Sequence, residues 1–82
     1  MLRLINIKKT DKYIEADYVP EQDGGTGHVK INLATMEREE CTLAPGDRWG
    51  TYARMAFGGL KKTLKEEKEG YEIPEERPVV WY

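Results

Sequence analysis

The sequence predicts an α+β fold: an antiparallel four-stranded meander packed on one long amphipathic helix, with a short C-terminal strand. Three observations predict it. Residues 2–43 contain four short segments that alternate apolar and polar side chains or are rich in β-branched residues. Residues 47–69 have apolar positions spaced for one face of a helix. Residues 79–82 form a β-favouring tail, which we expect to add a fifth strand or to pack Trp81 against the helix–sheet seam.

Length and composition favour one domain that covers residues 1–82. The chain is 39% hydrophobic and 34% charged, so its core must be small. Its single cysteine excludes an internal disulfide. The N-terminal segment carries its charges after its apolar residues, the reverse of a secretory leader, and no apolar run approaches the ~20 residues of a membrane span. We therefore expect a cytoplasmic protein that does not associate with membranes.

The four predicted strands cover residues 2–7, 13–19, 28–33 and 37–43. Strict alternation in the second and third strands assigns one set of side chains to the core. This set is Ile14, Ala16, Tyr18, Val29, Ile31 and Leu33.

The third and fourth strands are predicted to form a hairpin with a three-residue loop. If Leu33 faces Glu37 across this loop, Lys30 lies opposite Glu40, which is a favourable charge pair. The third loop residue, Met36, must then adopt a left-handed backbone conformation, which is uncommon for a residue with a side chain.

The helix is predicted over residues 47–69, where Asp47 supplies an N-terminal cap and Gly70 a left-handed stop. Gly58 and Gly59 inside it indicate a bend, or the close approach of another backbone from the sheet or from a second copy. One arc of the helix is expected to face the sheet. Its members are Trp49, Tyr52, Ala53, Ala56, Phe57, Leu60 and Leu64.

Charge is distributed unevenly along this helix. Residues 48–65 include five basic residues and no acidic one, whereas residues 66–76 include six acidic residues and one lysine. Two i,i+4 pairs are possible, Lys62–Glu66 and Lys65–Glu69. Either the basic side is a solvated surface, or it binds an acidic partner. The candidate binding residues are Arg54, Lys61, Lys62 and Lys65.

Two other patterns contain residue types that can carry chemistry, but neither predicts a site. The glycine-rich residues 23–30 resemble a phosphate-binding loop, but a strand follows and the GxxxxGK[ST] spacing is absent, so a connection between strands is favoured. His28 and Cys41 could form a nucleophilic pair only in contact, and the predicted register places them on opposite faces, with Cys41 a small buried residue beside Val29. With one histidine, the sequence predicts no metal site, no cofactor and no enzymatic activity.

The open face of the sheet is a further candidate contact surface. Tyr13, Val19 and Ile5 are expected there, on a face otherwise lined by Lys30, Arg38 and Glu40. The favoured hypothesis is a small non-catalytic module that binds a protein partner or forms a homodimer. The alternative is binding of nucleic acid or another acidic partner through the basic side of the helix, although the acidic residues that follow argue against nucleic acid.

Three segments, IEADYVPE at 14–21, GHVKI at 27–31 and IPEERPVVWY at 73–82, resemble a group of short uncharacterised bacterial proteins. The resemblance covers most of the chain and implies a stand-alone bacterial cytoplasmic protein. It carries no activity, ligand or partner, so no functional residue is transferred. This chain departs from the group in the hairpin turn, where the group carries glycine in place of Met36.

Overall fold

The computed structural model describes residues 2–20 and 25–80. Five strands form one antiparallel sheet in the order β4-β3-β2-β1-β5, and one helix lies across a face of it, which confirms the predicted fold class. The elements are β1 (Leu2–Lys9), β2 (Tyr13–Pro20), β3 (Gly27–Asn32), β4 (Arg38–Thr42), α1 (Thr51–Lys68) and β5 (Arg77–Val79).

The core lies between α1 and the inner face of the sheet. The alternating positions of β2 and β3 are buried as predicted, with Leu33 half-buried at the end. From α1, the buried apolar side chains are Ala53, Ala56, Phe57, Leu60 and Leu64. The helix packs on β1, β2, β3 and β5, whereas every residue of β4 is exposed. The helix therefore leaves one edge of the sheet uncovered.

The uncovered edge corrects two predictions. Cys41 lies opposite Val29 as expected, but it is exposed rather than buried because α1 does not extend over β4. Arg38 lies opposite the inward-facing Ile31 and places its guanidinium 4.5 Å from the centre of the Phe57 ring. It therefore belongs to the helix side of the sheet and not to the open face.

The β3–β4 hairpin confirms part of the predicted register. Lys30 pairs with Glu40, but nearer the loop the register shifts by one residue and Asn32 N–H donates to the Glu37 carbonyl at 2.9 Å. The predicted Leu33–Glu37 pairing is therefore wrong. The Asn32 side chain explains the shift. Its Oδ1 accepts hydrogen bonds from the N–H groups of Ala34 and Thr35, so the loop begins one residue earlier than predicted. Met36 has the predicted positive φ, 59°.

The segment before α1 is fixed by a buried tyrosine. The Tyr18 hydroxyl donates to Asp47 Oδ2 at 2.8 Å and accepts from the Ala44 N–H at 2.9 Å. The Tyr18 ring can occupy this place because Gly27 lies beside it: a Cβ on Gly27 would lie 2.2 Å from a ring carbon. One aromatic side chain thus joins β2, β3 and the start of the helix.

Asp47 caps α1 as predicted, although from farther away. Its carboxylate accepts from the Tyr52 N–H at 3.2 Å and the Ala53 N–H at 2.9 Å, while the residue directly before the helix is Gly50, with φ 70°. Because the chain turns between Asp47 and Thr51, helical periodicity does not extend back to Trp49. The prediction that Trp49 packs in the core is wrong: its side chain is 86% exposed.

The end of α1 agrees with the sequence. Gly70 has φ 104°, and the N–H groups of Gly70 and Tyr71 donate to the carbonyls of Glu67 and Glu66. The chain then returns as β5, which pairs with β1 and confirms a fifth strand, two residues earlier than expected. The predicted contacts of Trp81 lie outside the described residues. Among residues 2–20 and 25–80, no helix combines the length and apolar composition that crossing a bilayer requires.

Candidate interaction surface

The four predicted binding residues lie on the exposed side of α1. Arg54, Lys61 and Lys65 share an arc of roughly 40° on a helix of 3.6 residues per turn, and Lys62 lies about 60° beyond it. All four side chains are exposed. We call Arg54, Lys61, Lys62 and Lys65 the basic face.

The basic face is not neutralised by the rest of the described chain. Several cations elsewhere are ion-paired: Arg3 with Glu76, Lys9 with Glu67, Lys30 with Glu40, and Arg77 with Glu66. Within residues 2–20 and 25–80, no such pair involves a member of the basic face. Four positive charges therefore stay in solvent on a rigid element.

Two carboxylates near the basic face, those of Glu66 and Glu67, are held by the sheet instead. The possible Lys62–Glu66 pair does not form, because Arg77 of β5 donates to Glu66 Oε1 at 2.6 Å. Glu67 likewise pairs with Lys9 of β1. The first turn of α1 contains no acidic residue. The acidic end of the helix thus stabilises its contact with the sheet and leaves the lysines uncompensated.

The two glycines of α1 have different environments. A Cβ on Gly59 would lie 2.7 Å from Val79 Cγ2 and 3.1 Å from Leu4 Cδ1, so the predicted close approach of the sheet is found there. Gly58 is exposed, and an added Cβ would have no neighbour within 4 Å. It follows Arg54 by one turn and precedes Lys62 by one turn, which leaves bare backbone in the middle of the basic face.

A groove runs beside the basic face, between α1 and β5. Its volume is about 200 Å³. It is lined by Met55, Gly58, Gly59, Lys62, Arg77, Pro78, Val79 and Val80. Met55 and Val79 are half-buried and Val80 is 54% exposed, so the groove has apolar walls that reach the surface.

The open face of the sheet carries a polar network. His28 Nδ1 lies 2.8 Å from Asp17 Oδ1, and Nε2 lies 3.4 Å from Glu15 Oε2. Asn6 donates to the other oxygen of Asp17 at 3.0 Å. These two hydrogen bonds, from Asn6 first and then from His28, hold the pKa of Asp17 below its ordinary value. The polar side chains on this face therefore bind one another across neighbouring strands.

The same network divides the apolar side chains predicted on this face. Tyr13, Val19 and Ile5 are half-buried there, but Ile5 lies opposite Asp17 on the neighbouring strand. At the other end of β2, Lys30 Nζ lies 4.1 Å from the centre of the Tyr13 ring. This face therefore presents separate apolar side chains and not one continuous patch.

The described residues do not bring His28 and Cys41 together or group side chains that could hold a metal ion. His28 lies opposite Thr42 and Cys41 opposite Val29, which confirms that the imidazole and the thiol are on opposite faces. Both ring nitrogens of His28 face carboxylates. In the glycine-rich segment, a strand follows as predicted and begins at Gly27, one residue earlier than expected, while residues 21–24 lie outside the description. Within the described ranges, no three or more His, Cys, Asp or Glu side chains are grouped to hold a metal ion.

Sequence reasoning missed one exposed apolar pair. Trp49 is 86% exposed and Leu43 is 44% exposed, on either side of the turn that Tyr18 and Asp47 anchor. The signal was the Pro45-Gly46 turn together with Gly50, which shows that the helix begins after Trp49. A large aromatic side chain held out on a fixed turn is typical of a contact residue.

No protein-family model, curated protein or solved structure matches this chain.

Proposed function

We propose that this chain is a small non-catalytic protein-interaction module whose basic face docks on an acidic surface of another protein. The observation that carries the proposal is the set of cations on α1 that make no ion pair within the described residues, next to two carboxylates that pair with the sheet. Exposed charges of one sign on a rigid element accelerate association with a complementary surface and select against like-charged partners.

A second copy of the chain is a poor occupant of this surface. An α1–α1 contact centred on Gly58 would bring the four cations of each copy against those of the other, which is unfavourable. Pairing between two β4 edges is also disfavoured, because antiparallel registers centred on Glu39 or Glu40 place glutamates opposite each other. Both arguments favour a different protein.

An acidic protein is also favoured over nucleic acid. The formal net charge of the chain is −2, and beyond Lys65 the helix and its following segment carry six acidic residues. A continuous phosphate backbone would meet these carboxylates, whereas a compact acidic patch need cover only the basic face. Tyr52 is half-buried, so it does not offer α1 an open stacking platform.

The test is affinity capture from the native lysate with three tagged proteins. They are the wild type, Lys61→Glu/Lys65→Glu, and the matched control Lys8→Glu/Lys12→Glu, which changes net charge equally at exposed lysines of β1 and the turn after it. We expect the wild type and the control to retain the same acidic protein, and the α1 variant to lose it without a change in melting temperature.

Two results would contradict this function. Equal capture by all three proteins would show that the basic face is not the contact surface. Capture that disappears after nuclease treatment, together with recovery of nucleic-acid proteins, would support the nucleic-acid alternative instead.

Self-association is a second candidate, and the exposure of Trp49 and Leu43 favours it. Burying a tryptophan removes a large apolar area from water, and aromatic anchors are common at homodimer interfaces. In sedimentation velocity, we expect the wild type to form a dimer that Trp49→Ser dissociates. Tyr71→Ser, which changes another exposed aromatic side chain, is the control. A wild-type monomer at all tested concentrations would reject this candidate.

A further inference from the structure

We infer that the acidic partner inserts an apolar side chain into the groove between α1 and β5, so that its recognition motif is an apolar residue flanked by carboxylates. This inference rests on the proposed function and adds the chemistry of the partner segment. It is carried by the groove, by the exposed Gly58 at its margin, and by the cations beside it.

The shape of the groove suits one side chain. The backbone of Gly58 and Gly59 lines it, and its apolar side chains come from Met55, Val79 and Val80. A volume of about 200 Å³ has room for a single aliphatic or aromatic group. Burying an apolar side chain against the apolar walls of the groove removes apolar surface from water, which is favourable, whereas a polar side chain would lose its hydration. The groove therefore favours an apolar side chain.

The charges around the groove define what flanks that side chain. Lys62 lines the groove and makes no ion pair with the described residues, so its ammonium is available to a carboxylate of the partner. Arg77 also lines it, but its guanidinium is held by Glu66 at 2.6 Å and by Thr63 Oγ1 at 3.0 Å. Further along α1, Lys61 and Lys65 continue the positive surface beyond the groove. An apolar residue set among acidic ones matches this arrangement.

Gly58 is the residue that keeps the groove open toward the basic face. Glycine inside a helix lowers its stability relative to alanine, and no described neighbour requires glycine at this position. Local features that packing does not require are found at functional surfaces, and here the glycine borders the groove. Without a side chain at Gly58, the partner's backbone can approach α1 between Arg54 and Lys62.

The test uses three fluorescein-labelled peptides of equal length and fluorescence anisotropy at low ionic strength. The first has glutamates on both sides of one central leucine, the second replaces the leucine by serine, and the third keeps the leucine but replaces the glutamates by glutamine. We expect the first peptide to bind about tenfold more tightly than the second, as expected for burial of one aliphatic side chain. We expect the third not to bind measurably.

A variant assigns the effect to the groove. Gly58→Met should fold, since the position is open, and should fill the mouth of the groove. We expect the leucine and serine peptides to bind this variant with equal affinity, so the comparison of the two peptides on the same protein is the internal control. Circular dichroism of the variant checks the fold.

The outcomes separate the inference from the function on which it rests. If the leucine and serine peptides bind equally, or if Gly58→Met keeps the leucine advantage, the inference is wrong while acidic-partner binding stands. If the glutamate peptides bind no better than the glutamine peptide, the proposed function itself is contradicted.

Discussion

Adjacent glycines in α1 have opposite relations to the fold, and single substitutions should separate them. Gly58→Ala adds a methyl group in open space and should raise the free energy of unfolding by about 1 kcal/mol through helix propensity. Gly59→Ala gains the same propensity, but its Cβ would lie 2.7 Å from Val79 Cγ2, so overpacking should produce a net loss of about 1 kcal/mol.

Urea denaturation of both variants checks this prediction. Equal effects at the two positions would contradict the packing described for Gly59. If Gly58→Ala were as destabilising as Gly59→Ala, Gly58 would have a structural role after all, and the argument that it serves a partner would fail.

The Tyr18 hydroxyl links β2 to the segment before α1 through two hydrogen bonds, so its removal should be costly. Tyr18→Phe leaves the Ala44 N–H without its acceptor and removes a donor from the buried Asp47 carboxylate. We expect the free energy of unfolding to fall by about 1–3 kcal/mol. A loss below the error of a urea titration would show that water replaces the hydroxyl without penalty.

The same hydroxyl predicts how stability depends on alkaline pH. Burial, aided by the Asp47 carboxylate and partly offset by the Ala44 N–H, raises the pKa of Tyr18 from 10.0 to about 12. Because the folded state holds this proton more tightly than the unfolded state, the stabilisation is complete below pH 10 and is lost as pH rises toward 12. Tyr18→Phe should lose less stability than the wild type over this range, as measured by thermal melts at stepped pH.

The stability effect of truncating Trp49 distinguishes the core position that the sequence pattern assigns from the exposed position in the structure. The sequence pattern assigns it to the core, where truncation of a tryptophan costs about 3–5 kcal/mol. Its 86% exposure predicts instead that Trp49→Ala changes the free energy of unfolding by less than about 0.5 kcal/mol. A loss of several kcal/mol in urea denaturation would restore the interpretation from the sequence.

Among the elements, the contact of α1 with β5 depends on Arg77. Its guanidinium joins β5 to Thr63 and Glu66 of the helix and is mostly buried, so Arg77→Ala should lower the free energy of unfolding by about 1.5 kcal/mol. Arg3→Ala is the matched control, because the Arg3–Glu76 pair near the same strands is exposed and should contribute less than about 0.5 kcal/mol. Equal losses in the two variants would show that burial does not distinguish these pairs.

The elements show what the sequence could and could not predict. Alternation identified the inward side chains of β2 and β3, because a strand with one buried face imposes a period of two residues. Alternation does not encode how far the helix extends over the sheet, so Cys41 was assigned to a core that ends before β4. The core assignment of Trp49 is wrong for a related reason, because helical periodicity does not extend back past the turn at Gly50.

The candidate surface was predictable in part. Charge counting along the helix identified Arg54, Lys61, Lys62 and Lys65, and helix geometry grouped them. Whether they are neutralised depends on tertiary contacts, since Glu66 turns to Arg77 and Glu67 to Lys9. The sequence allows a Lys62–Glu66 pair, but in the fold Glu66 pairs with Arg77 of β5. The groove was not predictable, because two segments distant in the chain form it.

For the molecule as a whole, charges are sorted by surface. The open sheet face pairs its cations and carboxylates across strands, and the β5 edge pairs with the C-terminal half of α1. The basic face of α1 is left to interact outward. Exposed charges interact over roughly 10 Å at moderate ionic strength, so binding through this face should weaken as salt is raised.

The most direct test of this account is a lysine-reactivity footprint, measured by mass spectrometry on the purified protein and on the protein in its native lysate. We expect Lys61, Lys62 and Lys65 to lose reactivity in the lysate and to regain it at high salt, while Lys8 and Lys12 react equally in both settings. If the α1 lysines react equally in the lysate and in isolation, the basic face has no partner there and the account is contradicted.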